Sequence, residues 1–221
     1  MTGPASFAVL AARPDPPLDE LALAIAAEFR AVDRRAALWL LDALGEELAE
    51  DLGAGDRTPE AEAAACAALL GRRHGFAGDR DEYDDPRNSM LDVVLARRRG
   101  LPILLSAVYI EVARRAGVPI VGVGLPGHFV VGHFGAAPPL LLDPFAGGGP
   151  VEGAAPPALV RPWGAHEIAL RMLNNLVGSF QRRGDVGSAI RAATLRLELP
   201  AEERLRDALR TELRAMRARL N

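Results

Sequence analysis

The sequence predicts an α+β fold in which helical segments flank a short central sheet. Apolar residues recur at helical spacing before about residue 115 and again after about residue 166. Between these stretches lie three apolar runs, rich in β-branched residues and separated by glycine and proline, which is typical of strands. The last two runs look like a hairpin, so we expect a small antiparallel sheet.

The N-terminal segment, residues 18–87, is predicted to be helical and to close with a loop over 72–87. The predicted helices are Leu18–Arg30, Arg34–Asp51 and a third that runs from Thr58-Pro59 to Gly71. Asp33 is expected to cap the second of them. Thr58 is expected to cap the third, with proline at its first helical position.

The core segment, residues 88–148, combines helices with the sheet. Asn88 or Ser89 is expected to cap one helix, and Pro102 to begin the next, where its missing N–H costs nothing. The strands that follow are predicted at Val118–Val123, His128–Phe134 and Leu140–Phe145.

The C-terminal segment, residues 166–221, is predicted to be helical and follows a glycine- and proline-rich linker over 149–165, while residues 1–17 are expected to form a tail. Its spacing is close to that of one tetratricopeptide hairpin, at Leu176, Phe180, Gly184, Ala189, Ala193 and Pro200. A single repeat cannot bury its own face, so it is expected to dock on the main domain or on the last helix. That helix carries the stripe Leu205, Leu209, Leu213, Met216 and Leu220.

Composition excludes several kinds of chemistry. The 221-residue chain contains no lysine, which rules out Schiff-base mechanisms and a P-loop nucleotide site. Its one cysteine, Cys66, cannot form an internal disulfide or a multi-cysteine metal site. Alanines flank Cys66 in a predicted helix, so we expect a buried structural thiol. No cofactor is predicted.

Charge and hydropathy also limit the possible partners. The net charge of −3 argues against a protein built to bind nucleic acid. No apolar run approaches the ~20 residues that a membrane span needs, and no basic residue precedes the short apolar stretch near the N-terminus. We therefore expect a cytoplasmic protein that does not associate with membranes; the sequence leaves the oligomeric state open.

His128 and Asp143 are the residues that point most directly to a site. If the predicted hairpin is symmetric about Gly135 and Ala136, His128 lies directly opposite Asp143 on neighbouring strands. A carboxylate at that distance can hold an imidazole in one tautomer and orientation. What this pair lacks is a nucleophile, whose natural place is the start of the preceding helix, where the helix dipole favours a thiolate.

This arrangement resembles the transglutaminase-like fold, a relative of the papain-like cysteine proteases. In that fold a cysteine in a Gly-x-Cys context opens a helix, and strands bearing histidine and aspartate follow. Gly100-Leu101-Pro102 takes the place of Gly-x-Cys, and His128 and Asp143 match the other two positions. The resemblance implies a reduced papain/transglutaminase-like core in which Pro102 replaces the nucleophile.

The motifs together resemble the SirB-type family of bacterial transglutaminase-like proteins, over roughly residues 18 to 200. They are Asn88-Ser89, Arg99-Gly100-Leu101-Pro102, Leu105-Ser106, Tyr109, Gly117-Val118, Gly122 to Phe129 and Asp143 to Gly148. The resemblance implies a helical leading segment and a tetratricopeptide-like tail. Asn88, Tyr109 and Pro102 are candidate binding residues.

Other residues offer alternative site chemistry. Ser106 lies one helical turn after Pro102 and could form a triad with His128 and Asp143, although it is set back from the helix start. A metal could use His128, Asp143 and His133, but His133 is five residues along the strand and faces the opposite side. We therefore predict no metal site.

The expected function is that of a catalytically degenerate module that binds a peptide or protein partner through its cleft or its helical tail. The alternative is a hydrolase or acyltransferase that uses His128 and Asp143 with Ser106 or a bound water. A third possibility is an adaptor that acts through the tail alone. The sequence identifies neither a substrate nor a pathway.

Overall fold

The computed structural model describes residues 5–55, 57–151 and 157–219. The N-terminal helices are α1 (Phe7–Ala11), α2 (Leu18–Ala27), α3 (Arg34–Leu52) and α4 (Pro59–Cys66). The predicted caps are confirmed: the side chain of Asp33 accepts from the Ala36 N–H, and that of Thr58 from the Ala61 N–H. The chain then continues past α4 as a π-helix over Ala67–Arg73, two residues beyond the predicted end.

The segment predicted as an N-terminal tail contributes to the core. In α1 the side chains of Phe7 and Leu10 are buried, and this helix packs against α2. Apolar surface removed from water in this way stabilises the fold. The short helix therefore belongs to the body of the protein.

The middle of the chain contains a two-stranded parallel sheet and the central helix. These elements are β1 (Ala77–Gly78), a 3-10 turn (Pro86–Ser89), α5 (Leu91–Arg97), β2 (Arg99–Gly100) and α6 (Pro102–Arg115). The predicted capping role of Asn88 or Ser89 is wrong, because the N-cap of α5 is Met90. Asn88 lies inside the preceding turn, and its side-chain amide donates to the Glu82 carbonyl at 2.7 Å.

Helix α6 forms the centre of the fold. It begins at Pro102 as predicted, and its residues from Pro102 to Ala113 are all buried. It packs against α3 and against two strands, β3 (Ile120–Leu125) and β4 (His128–His133). A helix surrounded in this way fixes the position of everything that contacts its first turn.

The main sheet is antiparallel, in the order β3, β4, β5 (Leu140–Asp143) and β6 (Gly149–Pro150). The predicted hairpin is confirmed, but its predicted register is wrong by two residues, because Val131 pairs with Leu142 and His133 pairs with Leu140. Pro138 and Pro139 lack an N–H and cannot join the ladder, so the loop is centred one residue later than expected. A shift of two residues keeps every side chain on its predicted face.

The C-terminal helices are α7 (Ala165–Arg182), α8 (Val186–Leu195) and α9 (Glu203–Ala218). Helix α7 docks on α2 and α6 as well as on α8, as the need to bury a lone hairpin predicts. Of the predicted stripe on α9, Leu209, Leu213 and Met216 are buried; Leu205 is exposed, and Leu220 lies outside the described residues. The tetratricopeptide-like character of this segment stays a prediction.

One hydrophobic core includes buried side chains from α1 through α9. The chain is thus an α+β protein whose helices enclose α6 and one face of the sheet. Within the described ranges, no helix combines the length and the apolar character required to cross a membrane.

Close packing of β3 against Trp163 predicts that Gly124 cannot be enlarged. A Cβ at Gly124 would overlap the indole of Trp163. We expect Gly124→Ala to lower the free energy of unfolding by about 1–3 kcal/mol, as overpacking in a core does. Gly149→Ala is the matched control, because a Cβ there meets no atom within 4 Å. Urea denaturation measures both; equal stabilities would contradict this packing.

Candidate functional site

A tight turn places His128 at the start of β4. Pro126 and Gly127 connect β3 to β4, and Gly127 has a φ of +71°, as the third position of a type II turn requires. Leu125 and His128 are the paired residues that close this turn. The imidazole therefore lies at the open end of the sheet, where 31% of its side chain remains exposed.

Asp143 ends β5 and holds the imidazole. Its Oδ2 lies 2.9 Å from Nε2 of His128, and its Oδ1 accepts from the backbone N–H of Phe145 at 2.9 Å. The two residues are diagonal neighbours across the strands, which is still within reach of long side chains. Since both carboxylate oxygens are engaged, the orientation of the aspartate is fixed.

This contact determines which nitrogen of His128 is available. In the neutral ring, the nitrogen that faces a carboxylate carries the proton and donates it, so Nε2 is the donor. The lone pair is then on Nδ1, the nitrogen that can act as a base. Phe145 packs edge-on against the ring, with centroids 6.4 Å apart.

A pocket of about 30 Å³ lies beside His128 at the first turn of α6. That volume has room for a water molecule. The pocket is lined by Tyr83, Pro102, Ile103, Gly127, His128, Phe129, Arg171 and Asn175. Pro102 and His128 thus border one space, as the sequence predicted, and the ring of Pro102 presents only carbon to it.

The hydroxyl of Ser106 and the thiol of Cys66 lie elsewhere. Ser106 is fully buried, is not among the residues that line the pocket, and its hydroxyl has no hydrogen-bond partner within the described residues. Cys66 is buried at the end of α4, as predicted. Burial, reinforced by the nearby charge of Glu62, raises the pKa of the Cys66 thiol to about 12, which keeps it protonated.

The predicted binding residues Asn88 and Tyr109 are both fully buried. The Asn88 carbonyl accepts from the Leu101 N–H at 3.0 Å, which ties the 3-10 turn to the start of α6. Tyr109 packs beside Gly148, and burial raises the pKa of its phenol. A direct binding role for Asn88 and Tyr109 stays a prediction. Neither residue is among those that line the pocket.

His133 faces the opposite side of the sheet, as its spacing predicted. Its Nε2 lies 2.7 Å from Oε2 of Glu62, and its Nδ1 accepts from the Gly135 N–H at 3.1 Å. Arg57 completes this buried cluster through Oε1 of Glu62. Among the residues that the structure describes, no group of three histidine, cysteine or acidic side chains is placed to hold a metal ion.

The sequence patterns did not identify three further side chains around His128. They are Tyr83, Arg171 and Asn175. Tyr83 comes from a loop, and the centroid of its ring lies 6.1 Å from that of Phe145. Arg171 and Asn175 come from α7. Such contacts join parts of the chain that are far apart in sequence, so no local pattern identifies them.

The loop that carries Tyr83 is held at both ends. Asp79 accepts from the Glu82 N–H at 3.0 Å and from Arg97 at 3.2 Å. From α7, Arg182 and Arg183 reach the loop through Asp84 and Glu82. Helix α7 therefore forms one side of the site.

Larger grooves lie away from His128. One, of about 560 Å³, runs past Asp19, Glu111 and Trp163, and another, of about 570 Å³, lies between α4 and β5. In the first groove, Arg115 forms ion pairs with both Asp19 and Glu111, so the two buried carboxylates already have partners. We place the site at the smaller pocket because the histidine–aspartate pair is there.

A family model described as the transglutaminase-like superfamily matches residues 35–171, a range that contains Pro102, His128 and Asp143. No solved structure matches the chain.

Curated relatives match shorter stretches. A UPF0162 protein of Xylella fastidiosa is 46% identical over 99 residues, which cover 45% of this chain and 35% of that protein. A UPF0162 protein of Vibrio cholerae is 33% identical over 93 residues, covering 42% and 34%. F-box only protein 21 of Mus musculus is 40% identical over 70 residues, covering 32% and 11%. The matches thus span about a third of the length of these two bacterial relatives.

The anchored loop predicts a specific pH dependence of stability. The Glu82 N–H and Arg97 hold the pKa of Asp79 below its ordinary value, despite burial. A lowered native pKa stabilises the fold above the unfolded-state pKa of about 3.9, and this contribution is lost as the pH falls through the native pKa.

We therefore expect Asp79→Asn to cost about 1.5 kcal/mol at neutral pH, the worth of a hydrogen bond to a charged group. The difference from wild type should stay constant down to about pH 5 and shrink below about pH 4. Urea denaturation across this pH range measures it, with Asp81→Asn, an exposed carboxylate of the same loop, as the control. A difference that does not vary with pH would contradict the assignment.

Proposed function

The chain belongs to the transglutaminase-like superfamily, and on that premise we propose that it is a catalytically degenerate member that binds a peptide or protein segment at the His128 pocket. Binding there is non-covalent, because the first turn of α6, where a nucleophile would be needed, carries Pro102. The whole protein's partner is a protein or peptide that presents its chain to this cleft.

The observation that carries this proposal is the position of Pro102. It occupies the first turn of α6 and lines the same pocket as His128. A nucleophile at that point would benefit from the helix dipole and from Nδ1 as base. Proline supplies neither a nucleophilic atom nor a backbone N–H, so the covalent route is absent while the imidazole stays in place.

The surroundings of His128 support a binding role. Tyr83 is 46% exposed, and its ring contacts Phe145. The guanidinium of Arg80 lies over the ring of Phe145, 5.4 Å from its centroid. Exposed aromatic and arginine side chains are enriched where proteins bind one another.

We further place the chain in the SirB-type family of bacterial transglutaminase-like proteins. The ordered motifs from Asn88 to Gly148 support this assignment, since each appears in the family's order. A cytoplasmic location is proposed with it, because a single reduced thiol such as Cys66 suits that compartment.

A hydrolase is the second candidate, and one observation favours it. His128, whose Nε2 is held by Asp143, borders a pocket that has room for water. A positioned base can activate water without a covalent intermediate. Ser106 would require a rearrangement of α6 to serve as a nucleophile, because it is fully buried.

Turnover assays distinguish the two candidates. We expect purified wild-type protein to hydrolyse aryl thioesters and peptide amides no faster than His128→Ala does. His74→Ala, which removes a histidine away from the site, controls for general effects of the substitution. Turnover that is present in wild type and in His74→Ala but lost in His128→Ala would overturn the binding proposal in favour of the hydrolase.

A second assay addresses Ser106. We expect a fluorophosphonate probe to leave Ser106 unlabelled in the folded protein, because the hydroxyl is enclosed by the core. Mass spectrometry of the labelled protein measures this, with urea-unfolded protein as the matched control for background labelling. Labelling of Ser106 in the native state alone would show an activated serine and contradict the proposal.

A further inference from the structure

Two residues of α7, Arg171 and Asn175, line the His128 pocket. Arg171 and Asn175 are four residues apart, so they lie on the same side of the helix. Both line the pocket together with His128. A guanidinium and a carboxamide are thus presented side by side, and both can donate hydrogen bonds.

Arg171 is held rigidly in this position. One of its terminal nitrogens donates to the backbone carbonyl of His128 at 3.1 Å. Its guanidinium lies over the rings of Phe129 and Trp163, 5.7 and 5.9 Å from their centroids. Stacking of this kind is favourable and fixes the direction of the remaining N–H groups.

Arg171 has no carboxylate partner among the described residues, whereas Arg182 and Arg183 at the end of the same helix are both ion-paired. It is also half-buried, and this burial lowers the pKa of its guanidinium. A partly desolvated charge without a counter-ion is costly, and an anion that enters the pocket removes that cost.

The same geometry limits the anion to a small, singly charged group. The pocket volume of about 30 Å³ suits the end of a ligand rather than a whole molecule. The carboxylate of Asp143, which contacts His128, repels a dianion such as phosphate more strongly than it repels a carboxylate. A planar carboxylate also matches the fork of a guanidinium.

We propose that the pocket binds the carboxylate of a peptide, which accepts hydrogen bonds from Arg171 and Asn175 beside His128. The inference rests on the proposed peptide-binding function and specifies its ligand. The carboxylate comes from the peptide's C-terminus or from an acidic side chain, and the experiment distinguishes these two sources.

The test is a set of NMR titrations with four probes. They are an acetylated tetra-alanine peptide with a free C-terminus, its C-terminal amide, an amidated peptide with one internal glutamate, and sodium acetate. The observed signals are the Cε1–H of His128 and the Nε–H of Arg171. Arg171→Gln removes the charge, and Arg191→Gln, an exposed arginine on α8, is the matched control.

Asn175→Asp provides a second variant that keeps the size of the side chain and places a negative charge in the pocket. It is expected to weaken carboxylate binding and to leave the fold intact, because Asn175 is only partly buried. This variant keeps the test decisive if Arg171→Gln fails to fold.

In wild type we expect a free-acid or glutamate probe to bind about tenfold or more tightly than the neutral amide, the size of effect that one charge-assisted contact gives. Arg171→Gln and Asn175→Asp should abolish this preference, and Arg191→Gln should preserve it. Preference for the free C-terminus alone, or for the internal glutamate, identifies the source of the carboxylate.

Other outcomes overturn one proposal or both. Peptides that bind without preference for the carboxylate would refute this inference and leave peptide binding standing. Acetate that binds through Arg171 when no peptide does would support the carboxylate site and refute the peptide function. No response to any probe would refute the carboxylate site and count against peptide binding.

Discussion

The burial of α6 is the constraint on which the site depends. Its apolar surface is enclosed on all sides, and its first turn cannot move without displacing the sheet and α3. Pro102 is fixed at that turn, and the turn before α5 is tied to it through the Asn88 carbonyl. The pocket beside His128 is therefore a rigid feature, with one wall from the centre of the core and another from α7.

Much of the architecture follows from local sequence signals. Asp33 and Thr58 cap their helices, and proline begins α6, because each side chain satisfies or avoids one backbone donor. The pairing of His128 with Asp143 was predicted for a partly wrong reason. The hairpin register differs by two residues, but an even shift preserves the face of the sheet, so the contact forms diagonally.

The rest of the site could not be predicted from local patterns. Tyr83 and Arg171 line the pocket of His128 because a loop and helix α7 pack together. The spacing of apolar residues along the sequence does not predict that contact. The predicted capping role of Asn88 is wrong for a related reason. Its side-chain amide donates to a loop carbonyl, and this hydrogen bond competes with capping. The result is a frame that keeps a histidine–aspartate pair and adds an arginine without a carboxylate partner in the described residues.

We propose that residue 102 occupies the nucleophile position of a site that is otherwise intact. Alkylation by iodoacetamide at about pH 6 tests it in Pro102→Cys, since an ordinary thiol with a pKa of about 8.5 is almost wholly protonated there. Buried Cys66 serves as an internal control. We expect Cys at position 102 to react about tenfold or more faster than in the double variant Pro102→Cys/His128→Ala, because His128 stabilises its thiolate while both proteins keep the helix dipole. Equal rates in the two proteins would contradict the claim.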